Sequence, residues 1–216
     1  MRAYKYLSLL AAQLILMIVS PLFQNTVAAK LIFSLAVTVV FVAAIYSISH
    51  ERRKVTIGLV LMLPAFITLW LGQLAGGSVP ASFGLISATL FFSYTAALIL
   101  MDVLRSREVT MDIIAGGISV YLLIGNIWGF IFALIGYYDP QAFFFATVLE
   151  QGTNQPLISV SSTIYYSFVT LTTLGYGDIL PVSAFARTFS YLEAVIGQIY
   201  LVVLIARLVG LHLSKS

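Results

Sequence analysis

Six apolar stretches, separated by short polar breaks, run over 4–23, 29–49, 55–75, 82–103, 112–136 and 183–210. Each is close to or above the roughly 20 residues that cross a hydrocarbon layer, so the pattern predicts six transmembrane helices. SHERRK (49–54) and VLRSREVTMD (103–112) are charged breaks, and AGGSVPAS (75–82) is an uncharged Gly/Pro/Ser turn. One interruption is long, 137–182, and it is not uniformly polar. YYDPQAFFFATVLEQGTNQP (137–156) carries Pro, Gly, Asn and two acids, and reads as an exposed turret. SSTIYYSFVTLT (161–172) is mostly apolar after Ser161, Ser162 and Thr163, which suit a helix N-cap. Its twelve residues make a helix of about 18 Å, too short to cross, so it must enter and stop. TLGYGD (173–178) follows, then Pro181 and the last apolar stretch.

Composition agrees with a membrane location. The chain has 216 residues, 61% hydrophobic and 9% charged. A soluble domain carries about 25% charged residues, so this balance cannot dress a water-facing surface. The net charge of +3 is set by where the cations fall and is not a nucleic-acid signal. With six spans both termini share one side. Arg2, Lys5, Arg52, Arg53, Lys54, Arg105, Arg107, Arg207 and Lys215 would lie there, against Lys30 and Arg187 opposite. That asymmetry predicts cytoplasmic termini and an external 137–182 segment in a multi-pass protein of the cell membrane. A cleaved leader within 1–29, ending near VAA, is the competing reading of the N-terminus and leaves the later orientation unchanged. There is no cysteine, hence no disulfide or thiolate metal site. His50 and His212 sit at predicted cytoplasmic ends, and no Ser/His/Asp or metal-ligand cluster points to an enzyme.

Non-helical backbone at membrane depth is tolerated where protein buries it or where it lines a water-filled path. One reason to uncoil there is to aim a column of carbonyl oxygens at a dehydrated cation. Gly175 and Gly177 can adopt the positive φ such a path demands, while Leu174 and Tyr176 point outward between them. Thr173 adds a hydroxyl at the inner end, and the preceding helix turns its partially negative C-terminus toward the bilayer centre.

Thr173-Leu174-Gly175-Tyr176-Gly177-Asp178 resembles the selectivity filter of potassium channels, usually TVGYG. YYSFVTLTTLGYGDILPVSAFAR resembles the whole pore helix and outer mouth, and the likeness extends over roughly 112–212. Within bacterial potassium channels it is similar to small six-span proteins of the two-helix-pore ion channel family. The resemblance implies an all-α membrane protein: six transmembrane helices, a re-entrant pore helix and a filter loop, with the pore formed by a homotetramer in membrane lipid. Residues 1–104 would be a four-helix region of unplaced role. Residues 105–216 would be the pore domain, with pore helix 161–172, filter 173–178 and inner helix 183–210. Potassium would contact Thr173, Leu174, Gly175, Tyr176 and Gly177 as permeant ion, with no cofactor.

Other roles follow from the same likeness. Tyr165 and Tyr166 stand where the family often has tryptophans and would pack around Tyr176; generic interfacial tyrosine is the plainer reading. Asp178 would concentrate cations at the mouth. Val169 replaces a glutamate that pairs with that aspartate in some members. Gly197 matches the glycine where the inner helix bends, or it is a packing notch. Gln198, Leu201, Ile205 and Val209 would line the cavity, with Ile205 and Val209 near a hydrophobic gate. Glu193, one turn before Gly197, is the single acid of that span and reads as a structural or ion-handling group behind the filter.

The fourth stretch, 82–104, holds no arginine array before Arg105. Moving a charge through the membrane field is worth about 2.3 kcal/mol per 100 mV, so weak voltage dependence is expected. The chain ends about six residues past the last span, leaving no room there for a ligand-binding domain. A nonselective cation channel is the nearest alternative. A secondary transporter would show repeated halves with paired interrupted spans, and an accessory subunit gives no reason for the GYG loop.

Overall fold

The computed structural model describes residues 4–19, 27–49, 51–74, 81–145 and 159–213. Its helices are α1 (Lys5–Val19), α2 (Val27–Ser47), α3 (Arg52–Leu74), α4 (Ala81–Arg105), α5 (Met111–Tyr138), α6 (Val160–Leu171) and α7 (Ala184–Leu213). Two short strands, β1 (Phe143–Phe145) and β2 (Ile179–Pro181), pair antiparallel.

Each predicted span contains one helix. Among the described residues, four are long and apolar enough to cross a membrane: Arg52–Leu71, Ser82–Arg105, Met111–Tyr138 and Ala184–Leu211. Lys5–Ile18 and Ser34–Ser47 are shorter apolar helices. Crossing is therefore supported by length and composition for those four helices among the described residues. The junction 20–26, where a leader would end, lies outside the described residues. The charged break at 49–54 is also shorter than its sequence suggests. Helix α3 already begins at Arg52, with Lys54 paired to Glu51 at 2.8 Å across its first turn.

Helix α5 is the hub, touching α1, α4, α6 and α7. Apolar side chains gain nothing by leaving lipid for protein, so close packing and hydrogen bonds must hold such helices together. Phe41, Phe91 and Phe92 interlock where α2 meets α4, and Phe92 stacks on Phe130 of α5. Several hydroxyls inside the helices return to their own backbone, as Thr38 does to Ser34 O (2.8 Å) and Thr89 to Leu85 O (2.7 Å), while Ser34 Oγ and Thr95 Oγ1 are buried without a partner among the described residues. An apolar layer thus meets few unpaired donors.

Polar ties fasten one end of the bundle. Asp112, in the first turn of α5, accepts the backbone N–H groups of Tyr6 (2.9 Å) and Leu7 (3.1 Å). Those are orphan donors of α1's first turn, so α5 supplies the cap that α1 lacks in its own sequence. The Tyr6 hydroxyl donates to Asp102 Oδ2 at 2.6 Å, and Lys5 Nζ lies 3.3 Å from the same oxygen. Arg207 of α7 donates to Ser106 O at 3.1 Å. The residues predicted to share one side are gathered by these contacts.

Replacing Asp112 by alanine should lower stability in detergent by about 1–2 kcal/mol, the range of a lost N-cap. Asp112→Asn, which still accepts, should lose less. Denaturant midpoints followed by helical circular dichroism would measure both, and an unchanged Asp112→Ala midpoint would contradict the capping role.

Candidate functional site: an unwound loop beside a half-length helix

Helix α6 begins one to two residues earlier than its serine run suggests. Ser159 is the N-cap: its Oγ accepts the Ser162 N–H at 3.1 Å, while Ser162 Oγ accepts the Ser159 N–H at 3.1 Å. This reciprocal capping box uses Ser162 as the returning partner and not as the cap. The predicted start at Ser161 missed it because Leu157 and Ile158 hide Ser159 behind apolar residues.

Two glycines of α5 let α6 lie close. A Cβ on Gly125 would meet Phe168 Cε1 at 2.6 Å, and one on Gly129 would meet the Ile164 Cα at 2.8 Å. These positions are four apart in GNIWG (125–129), a small-xxx-small notch facing residues four apart on α6. The notch was readable as spacing, but its partner was not.

The helix then stops in a defined way. Leu174 N donates to Val169 O at 2.9 Å and Thr173 N to Thr170 O at 3.0 Å. Thr173 carries φ of 59°. This is a Schellman ending with threonine where glycine is usual. A β-branched residue at positive φ is a genuine outlier, of the kind found at functional sites. The Val169 carbonyl also accepts Gly175 N at 3.3 Å, so Val169 serves the loop through its backbone while its side chain is buried.

Gly175 (φ 61°) and Gly177 (φ 77°) continue the pattern, with Leu174 and Tyr176 at negative φ between them. In a strand successive carbonyls alternate sides. Reversing the sign of φ at every second residue is the backbone device that can cancel that alternation and bring successive carbonyls toward one side. A Cβ on either glycine would meet nothing of this chain within 4 Å, so backbone conformation and not crowding requires glycine there. Residues 173–177 are all exposed in the single chain, Tyr176 by 66%.

The far end of the loop is anchored. Asp178 Oδ1 accepts the Ile179 N–H at 3.1 Å, and Oδ2 accepts the Tyr165 hydroxyl at 2.7 Å. That bond pushes the Tyr165 phenol up to about 12, so it stays a donor. Ile179–Pro181 pairs with Phe143–Phe145 in the register Phe143↔Pro181, and Val182 N donates to Ala142 O at 2.7 Å. Residues 137–156 were expected to be exposed throughout. Ala142 and Phe143 are instead buried, Phe143 against Phe132 and Tyr166. The aromatic run that looked like turret is a strand edge packed beneath the loop exit. Residues 146–158 lie outside the described residues.

Within the chain Tyr166 is turned inward. It is buried against Phe132 and Phe143, and its hydroxyl lies 2.6 Å from Ser190 Oγ of α7. Among the described residues no contact joins it to Tyr176 within the chain. Helical spacing explains the split: Thr163, Tyr166, Ser167 and Leu171 face α5 and α7, whereas Tyr165 faces away.

On α7, Glu193, Gly197, Tyr200 and Leu204 form the buried face. A Cβ on Gly197 would meet Leu171 Cδ1 at 2.6 Å and Leu171 O at 3.0 Å. Gly197 is thus a notch for the end of α6, the packing role weighed above, and no bend need be invoked for its presence. The face predicted to line a cavity divides. Gln198, Ile205 and Val209 are exposed, whereas Leu201 packs partly against the core. Val195, Ile199 and Val202 lie opposite the buried face and are exposed. The predicted face was drawn through Gly197, which itself points inward, so Leu201 sits at the edge between the buried and exposed sides of α7.

Glu193 is fully buried beside Ser167 of α6. Ser167 Oγ is also 2.6 Å from the Gly125 carbonyl of α5. The Tyr121 hydroxyl donates to Leu171 O at 3.3 Å. Three helices therefore meet through polar contacts directly behind the loop.

Comparison with known proteins finds one family model over this region and one partial relative. A family model described as "Ion channel" matches residues 120–211. Over 67 residues the chain is 39% identical to the voltage-gated potassium channel Kch of Escherichia coli (strain K12), covering 31% of this chain and 15% of that protein. The chain thus spans a small part of that relative's length. The family model supports an ion-channel region in a membrane protein, and the relative that shares part of the chain is a potassium channel.

Gly129→Val should force α6 off α5 and cost about 1–3 kcal/mol, as overpacking does. Thermal unfolding in detergent would measure it. A variant as stable as the parent would contradict the close helix approach.

Proposed function

We propose that the chain is one quarter of a homotetrameric, potassium-selective channel that conducts passively across the cell membrane. The observation that carries this reading is the alternation of positive φ at Thr173, Gly175 and Gly177 in a loop whose own chain leaves it open. One copy cannot surround an ion with carbonyls, and four copies around an axis can. The carbonyls of Thr173, Leu174, Gly175, Tyr176 and Gly177, with the Thr173 hydroxyl, replace the hydration shell of potassium, the permeant ion. Several such sites in file let entering ions displace those ahead. Asp178, held by Tyr165, stands at the outer mouth and raises the local cation concentration. Tyr176 packs against a neighbouring copy.

The inner vestibule is formed by the exposed side of α7, with Gln198 near the filter and Ile205 and Val209 toward the closing end. Both termini lie in the cytoplasm, as the cation asymmetry and the clustering of Lys5, Asp102, Asp112 and Arg207 contacts suggest. Helix α4 lacks an arginine array, so conduction depends weakly on voltage.

Reconstituted into liposomes under a potassium gradient, the protein should pass potassium in preference to sodium and be blocked by barium. Gly175→Ala, strained by about 1–2 kcal/mol per residue at positive φ, should abolish the flux while the helices remain. Unaltered flux in Gly175→Ala would remove the filter assignment, and equal potassium and sodium flux would favour the nonselective alternative.

A further inference from the structure

The polar contact behind the loop contains a proton that ordinary ionisation does not supply. Ser167 Oγ stands within hydrogen-bond distance of two acceptors, the Gly125 carbonyl at 2.6 Å and Glu193 Oε1. A hydroxyl carries one proton and can donate once. If it donates to a Glu193 carboxylate, the Gly125 carbonyl faces a bare oxygen lone pair. If it donates to Gly125, an ionised Glu193 faces one. Neither arrangement closes unless the carboxyl brings a proton of its own.

The neighbouring serine shows the same geometry without the difficulty. Ser190 Oγ lies 2.6 Å from Ala186 O and 2.6 Å from the Tyr166 hydroxyl. There the phenol supplies the second proton, and the chain runs Tyr166 to Ser190 to Ala186 O. At Ser167 the equivalent donor must be Glu193.

The surroundings agree. Glu193 is fully buried, and its second oxygen, Oε2, has no hydrogen-bond partner. No lysine, arginine or histidine among the described residues pairs with it. The titratable groups facing it are Tyr121 of α5 and Tyr166 of α6, whose hydroxyls are taken by Leu171 O and Ser190. From α7 itself the nearby polar group is Ser190, already spent on Ala186 O. A buried carboxylate with one bare oxygen and no countercharge is costly, whereas the acid leaves only a neutral carbonyl unpaired.

We infer that Glu193 is held as the neutral acid and begins a buried donor chain, Glu193 O–H to Ser167 Oγ and Ser167 O–H to the Gly125 carbonyl, that fixes the filter-bearing helix between α5 and α7. Glu193 is then a positioning residue. It sets the seat of α6 two turns before the loop and touches no permeant ion. Removing its proton would make Ser167 turn to the carboxylate and abandon Gly125, breaking one of the α5–α6 hydrogen bonds. The consequence for conduction rests on the pore reading above; the protonation does not.

Two measurements on the reconstituted full chain separate these claims. The infrared difference spectrum between the parent and E193Q should contain the carbonyl stretch of a protonated carboxyl at neutral pH. Carboxylate bands in its place would overturn the donor chain, whether or not the protein conducts. In potassium flux, E193L and S167A should each fall by about tenfold or more, the effect of leaving a buried polar partner unmet. E193Q, whose amide can donate to Ser167, should recover most of what E193L loses. Flux in E193L equal to the parent would overturn the positioning role, as would E193Q and E193L failing alike with both folded. A parent protein with no ion flux would instead count against the pore reading alone.

Discussion

Peptide groups that leave a helix inside an apolar layer must find partners, and the arrangement around residues 173–177 follows from that need. Helix α6 stops after twelve residues, and its last carbonyls are spoken for within the chain. Val169 O takes two loop amides, Thr170 O takes one, and Leu171 O takes the Tyr121 hydroxyl. Among the described residues no hydrogen bond of the chain reaches the loop carbonyls of 173–177. A dehydrated cation held between several copies is a partner that suits them chemically, and water in a lined path is the weaker substitute.

The rest of this half of the chain holds that loop in place. Gly125 and Gly129 bring α6 against α5, and Gly197 brings α7 against the last turn of α6. Ser167 and Tyr166 add hydrogen bonds at the two sides. The loop exit is tied twice, by Asp178 to Tyr165 and by the strand pair to Phe143–Phe145. Both ends of an unwound segment are thereby fixed to helices that do not unwind. Strain at Thr173 can persist because its neighbours over-determine it.

The loop itself was legible in the sequence because its chemistry constrains consecutive residues: glycines two apart, a threonine before and an acid after. Helix α6 was legible from its length and apolar character. What escaped were pairings between residues far apart. Ser159 as cap, the Phe143–Phe145 strand within a supposed turret, and the Ser167–Glu193 contact each need a partner outside the local pattern. Gly197 could be read as hinge or notch, and only the position of Leu171 separates the two. The six apolar stretches were plain, but hydropathy alone did not show that the first turn of α1 would be capped by Asp112 of α5.

The central claim is that loop carbonyls from several copies form a path that prefers potassium. The most direct test is the reversal potential of the purified protein in a planar bilayer with potassium on one side and sodium on the other. A potential close to the potassium equilibrium value is predicted. A reversal potential near zero, with current present, would contradict the account.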